Sequence, residues 1–102
     1  MDIYRPFKCK IKLSWHELRV LNEIIGRVRH SQPLKRRAMM EWAIKKRMEY
    51  IRKLMSRKKE YVITLNAIDA WAAITIIRNA TLCDEYEMVL VIKIEDHVAR
   101  LM

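Results

Sequence analysis

Lys8, Lys10 and Lys12 alternate with Phe7, Cys9, Ile11 and Leu13. In an extended chain successive side chains point to opposite faces, so the three ammonium groups share one face and the apolar residues take the other. Amines in such a row can hold a polyanion through ion pairs and hydrogen bonds. Two further basic groups follow. Lys35, Arg36 and Arg37 come directly after Pro33 and Leu34, and Lys45, Lys46, Arg52 and Lys53 lie along a helical segment in which Lys45, Arg52 and Lys59 recur every seven residues. A charged strand face also discourages edge-to-edge aggregation, and a basic helix face can serve solvation alone or rest on an anionic membrane, so these residues carry a bland use beside the binding one.

Chemistry of other kinds finds few candidates. His16, His30 and His97 are scattered, and His16-Glu17 has no second His four residues on, so the zinc-protease helix is absent. The single Gly rules out the glycine-rich phosphate loops, whose turns need several positive-φ residues. Cys9 and Cys83 stand far apart without a partner motif and read as buried thiols of a reducing compartment. No catalytic residue, metal ligand, cofactor or small-molecule substrate is expected, and the chain is read as a non-enzyme.

The elements that would position the lysines follow from local patterns. Phe7 to Leu13 is a half-buried strand. Ser14-Trp15-His16-Glu17 is a capping box, and the helix it opens carries Trp15, Leu18, Leu21, Ile24, Ile25 and Val28 at helical spacing as far as Arg29 or His30. Pro33 suits the first turn of a second, long helix, from Leu34 to about Lys58. Along it Met40, Ile44, Met48, Ile51 and Met55 form an apolar stripe expected to face the core, with Trp42 and Leu54 beside it. Glu49 and Lys53 form an i, i+4 pair on its solvent side.

After Lys59 the same order begins again. Tyr61 to Leu65 is a β-branched strand, and Asn66-Ala67-Ile68-Asp69 is a second cap. An offset of 52 lays Ile11 on Ile63, Leu13 on Leu65, Ser14 on Asn66, Glu17 on Asp69 and Ile24-Ile25 on Ile76-Ile77. An offset of 47 lays Trp42-Ala43 on Val89-Leu90 and Ile51 to Met55 on Val98 to Met102. The chain therefore reads as one compact domain over 1–102, made of two strand-helix-helix units at 7–59 and 60–102. The predicted fold is α+β and mostly α, with a two-stranded antiparallel ribbon and about four helices. Met88 to Ile94 is β-branched enough for a strand, but the spacing of Tyr86, Leu90, Ile94, Val98 and Leu101, with Asp84 and Glu85 ahead of it, favours a helix. The helix from Ala67 to Asn79 is apolar almost all round, and its segment Ile68 to Ile77 is expected to be central or to mediate self-association.

Charge is divided between the units. Residues 1–59 hold 18 Lys and Arg against five Asp and Glu, a net of +13, and the remaining residues carry −4, which together give the overall +9. An apolar content of 52% excludes a disordered polycation. Met1 to Lys12 is too charged for a secretory leader, and Asn66 and Asp69 interrupt the apolar run from Tyr61 to Ile77, so a cytoplasmic protein without a membrane span is expected.

A strand of alternating lysines followed by two helices, given twice, resembles the ribbon-helix-helix DNA-binding family, here as a tandem single-chain form. The resemblance covers Phe7 to about Lys58 and Tyr61 to Met102. It implies that Lys8, Lys10 and Lys12, with Val62 and Thr64 of the second strand, face the major groove. It also implies that the amides near Gln32 to Leu34, helped by Lys35, Arg36 and Arg37, hold a phosphate. The expected function is nucleic-acid binding by the basic half, as a DNA-binding regulator or a mobile-element accessory protein. The alternative is a structural subunit of a phage or multi-protein assembly whose basic face meets an acidic partner.

Overall fold

The computed structural model describes residues 8–27, 37–79, 82 and 84–100. Its elements are β1 (Cys9–Ser14), α1 (Trp15–Arg27), α2 (Arg37–Leu54), β2 (Glu60–Leu65), α3 (Ala67–Asn79) and α4 (Glu85–Arg100). This is the expected mostly helical α+β architecture, with one two-stranded antiparallel sheet. Met88 to Ile94 lies wholly within α4, where Asp84 Oδ1 accepts from the Glu87 amide at 2.9 Å and caps the first turn.

The ribbon pairs Cys9 with Leu65, Ile11 with Ile63 and Leu13 with Tyr61. All six of these residues are buried, while Lys8, Lys10, Lys12, Glu60, Val62 and Thr64 face outward. Register is held by this alternation, because a slip of one residue would carry the whole apolar set into water. The pairing is symmetric about Ile11 and Ile63, the residues that the offset of 52 superposes. Behind the ribbon, Leu18, Ile24 and Ile25 of α1, Ile76 and Ile77 of α3, and Leu90 and Ile94 of α4 fill the core. Each such side chain taken from water contributes roughly 1.5–3 kcal/mol. Cys9 lies in this core, and burial pushes its thiol above the ordinary value, which keeps it protonated.

Helix α2 departs from expectation at its end and in its face. It stops at Leu54 rather than near Lys58, because Arg57 takes a left-handed conformation with φ 48° and turns the chain toward β2. The Ser56 amide and hydroxyl both donate to the Lys53 carbonyl, at 3.0 and 2.6 Å, and close the last turn. The core side of α2 is Met39, Ala43 and Tyr50. The Ile44, Met48, Ile51 and Met55 stripe expected there is exposed, from 47% at Ile51 to 78% at Met55. Three polar anchors orient the helix. Trp15 Nε1 donates to the Leu54 carbonyl at 2.9 Å, Trp42 Nε1 donates to Asp69 Oδ1 at 2.8 Å, and Lys46 Nζ lies 3.6 Å from Asp69 Oδ2. The lone glycine serves close approach: a Cβ on Gly26 would lie 2.6 Å from Cζ of Arg47, whose guanidinium crosses α1 at that point.

Ala70, Ala72, Ala73, Ile76 and Ile77 are buried in the protein's own core, which leaves Ile68 and Trp71 as the large apolar side chains that α3 exposes.

Candidate nucleic-acid interface

The outward ribbon face is set by the caps at its two ends. The Glu17 amide donates to Ser14 Oγ at 3.1 Å while Glu17 Oε1 accepts from the Ser14 amide at 2.9 Å. At the second strand, Asn66 Oδ1 accepts from the Asp69 amide at 2.8 Å and Asp69 Oδ2 accepts from the Asn66 amide at 3.2 Å. Both capping boxes are formed, so each strand passes into its helix within one residue and the ribbon is held firmly on α1 and α3.

Each capping carboxylate also takes a lysine from the second helix of the opposite unit. Glu17 accepts from Lys93 Nζ of α4 at 3.0 and 3.2 Å, and Asp69 faces Lys46 Nζ of α2. The offset of 47 lays Lys46 on Lys93, as that of 52 lays Glu17 on Asp69, so the two ion pairs are counterparts crossed between units. Applying both offsets to the charged residues marks them as counterparts, but not as partners. Burial works to raise the Glu17 carboxyl, but the Ser14 amide and hydroxyl and the Lys93 ammonium outweigh it and hold the group below its ordinary value. A depressed folded-state value means that Glu17 contributes stability above the unfolded value, near pH 4.5, and loses it as pH falls through the lowered one. Glu17→Gln is therefore expected to flatten the fall in melting temperature below about pH 4.5; an acid limb identical to wild type would refute this.

On the ribbon, Lys8, Lys10 and Lys12 are exposed, and no carboxylate pairs with them among the described residues. Val62 and Thr64 share the face, as does Glu60, which sequence reasoning passed over and which lies opposite Ser14. The α2 residues divide. Lys45, Arg52 and Lys53 are exposed. Lys46 does not belong with them: its side chain is 16% exposed and held by Asp69 and by Glu49 at 3.1 Å. Glu49 thus engages Lys46 in place of the expected Lys53. Lys59 leaves the line through Lys45 and Arg52, since the helix has ended before it. Lys35 and Arg36, the amides near Gln32 to Leu34, and the side chain of Arg37 lie outside the described residues, as do Cys83 and His30.

Other polar groups make contacts within the fold. His16 stacks edge-on against Tyr86 at 4.8 Å, and His97 Nδ1 lies 2.8 Å from the Lys93 carbonyl. Burial pushes the Tyr50 phenol well up, with Asp69 and Glu49 adding to the shift. Arg27, at the end of α1, makes a two-pronged pair with Glu87 in the first turn of α4 at 2.5 and 2.7 Å. Among the described residues no three His, Cys, Asp or Glu side chains gather as a metal site, and no helix is long and apolar enough to cross a membrane.

Fold and surface together define an α+β protein whose two-stranded ribbon displays an outward row of lysines. No family model matches the chain, and no curated protein or solved structure shows significant similarity to it.

Proposed function

We propose that this protein binds nucleic acid through the outward face of the β1–β2 ribbon, in the manner of the ribbon-helix-helix proteins it resembles, as a DNA-binding regulator or mobile-element accessory protein. The observation that carries this reading is the solvent-facing row of Lys8, Lys10 and Lys12 on a two-stranded antiparallel ribbon. A ribbon of this width fits the major groove of B-DNA, where side chains on its outer face reach phosphates and base edges. Lys45, Arg52 and Lys53 supply a second basic surface for backbone contact.

Counterion release makes such binding fall with salt by about 0.9 logarithmic units per phosphate neutralised. Lys10→Ala/Lys12→Ala is expected to weaken binding at a fixed salt concentration, measured by fluorescence anisotropy with a labelled duplex. Unchanged binding would remove the ribbon from the interface. Absence of binding to DNA or RNA at low salt would dismiss the nucleic-acid reading.

A second reading, an interaction subunit that assembles with further copies or other proteins, is favoured by the exposed α2 stripe of Ile44, Met48, Ile51 and Met55 and by Ile68 and Trp71 on α3. Exposed apolar residues grouped in this way mark interaction surfaces more often than idle ones. Ile44→Glu/Ile51→Glu is expected to reduce the particle mass in light scattering if α2 is such a surface, and a wild-type monomer would exclude self-association.

A further inference from the structure

The two strands of the ribbon are related by the symmetry of their pairing but differ in what they present. Pairing is symmetric about Ile11 and Ile63. A half-turn about that point exchanges Lys8 with Glu60, Lys10 with Val62 and Lys12 with Thr64. On the outer face β1 and the residue before it thus offer three ammonium groups, while β2 offers a carboxylate, a half-exposed isopropyl group and a hydroxyl. A reader assembled from two identical chains presents the same side chains to both halves of its site, which is why such readers mirror palindromes. Here the backbone keeps the dyad and the side chains abolish it.

We infer that the ribbon selects a duplex sequence without dyad symmetry, with guanines under β1 and thymine under β2. This rests on the nucleic-acid reading above. Lys10 and Lys12 are separated by two residues, about 6.8 Å in an antiparallel strand. Successive bases along one DNA strand rise about 3.4 Å, so the two amines stand about two base steps apart. A lysine ammonium donates to guanine O6 and N7, which no other base presents together as acceptors in the major groove. Val62 has no polar group to offer and fits the thymine methyl; the Thr64 methyl can do the same. Glu60 repels phosphate and can accept only from an amino group such as cytosine N4. The pairing of Lys12 with Val62 and of Lys10 with Thr64 sets these preferences side by side across the ribbon.

The test is selection from a pool of randomised duplexes by the full-length protein, followed by sequencing of the retained fraction. The expected consensus has no dyad and carries guanines under Lys10 and Lys12 but not at the positions that the dyad relates to them. Replacing a guanine under Lys10 or Lys12 is expected to weaken binding roughly tenfold per position. Val62→Lys/Thr64→Lys makes the central outward positions of β2 match those of β1, and its consensus is expected to gain guanines at those dyad-related positions. Both positions are exposed, and an unchanged thermal melt verifies that the variant folds. A palindromic wild-type consensus, or retention with no sequence enriched, overturns this inference and leaves nucleic-acid binding standing. Failure of the pool to be retained at low salt overturns both.

Discussion

Arg27→Ala is expected to lower the free energy of unfolding by about 3 kcal/mol, the low end of the scale for removing one partner from a buried ion pair, since Glu87 is buried but the Arg27 side chain is 32% exposed. The Glu87 side chain is only 6% exposed, and Arg27 meets both of its oxygens. Loss of the guanidinium leaves that carboxylate buried without its fork, in surroundings where a charge is poorly solvated. Helix geometry places the two residues well, since a cation suits the last turn of α1 and an anion the first turn of α4. For a domain of this size about 3 kcal/mol corresponds to a fall of roughly 12 °C or more in melting temperature. Glu87→Gln is expected to cost less, because a neutral amide leaves no buried charge behind. Urea denaturation checks both. An Arg27→Ala variant within about 1 kcal/mol of wild type would show that the pair does not hold α4 to α1.

Ile11→Ala and Ile63→Ala are each expected to destabilise by about 2–5 kcal/mol. Both side chains lie at most 2% exposed where the two strands face each other at the centre of the ribbon. Truncation loses the transfer free energy of the removed carbons and leaves a void between sheet and helices that closes only in part. The two sites touch one space, so the double variant is expected to depart from additivity by at least about 0.5 kcal/mol. Additive losses would mean that the strands do not share a packing site there. Against a total stability of roughly 5–15 kcal/mol, either change also tests whether the ribbon belongs to the cooperative core or is an appendage.

The ribbon and the caps were legible in the sequence because each is written in a few adjacent residues. Alternation from Cys9 to Leu13, and from Tyr61 to Leu65 with Val62 as the exception, fixes which face of each strand is buried. Ser14 with Glu17, and Asn66 with Asp69, complete hydrogen bonds three residues apart, so the helix starts need no tertiary information. The ribbon lysines were legible for the same reason. Exposure on a two-faced strand follows once the apolar face is known.

Helix α2 was not legible in this way. Its sequence has two apolar faces, one of Ile44, Met48, Ile51 and Met55 and one of Met39, Ala43 and Tyr50, and the first is the more hydrophobic. The second is buried because Trp42 and Lys46 reach Asp69 and Trp15 reaches the Leu54 carbonyl. These partners lie 27, 23 and 39 residues away in the chain, and no periodicity within α2 records them. The same contacts turn Lys46 away from the basic surface while Lys45 and Arg52 stay on it.

Local chemistry thus settled which segments are strands and helices, where α1 and α3 begin and which strand face carries charge, since these depend on neighbours within about one turn. The fold alone decided which face of α2 is covered, that the two units cross-link through Glu17 with Lys93 and Asp69 with Lys46, and that the outward residues of β1 and β2 form one asymmetric surface. Each of those outcomes depends on contacts between residues distant in the chain, whose free energies exist only once the elements have packed.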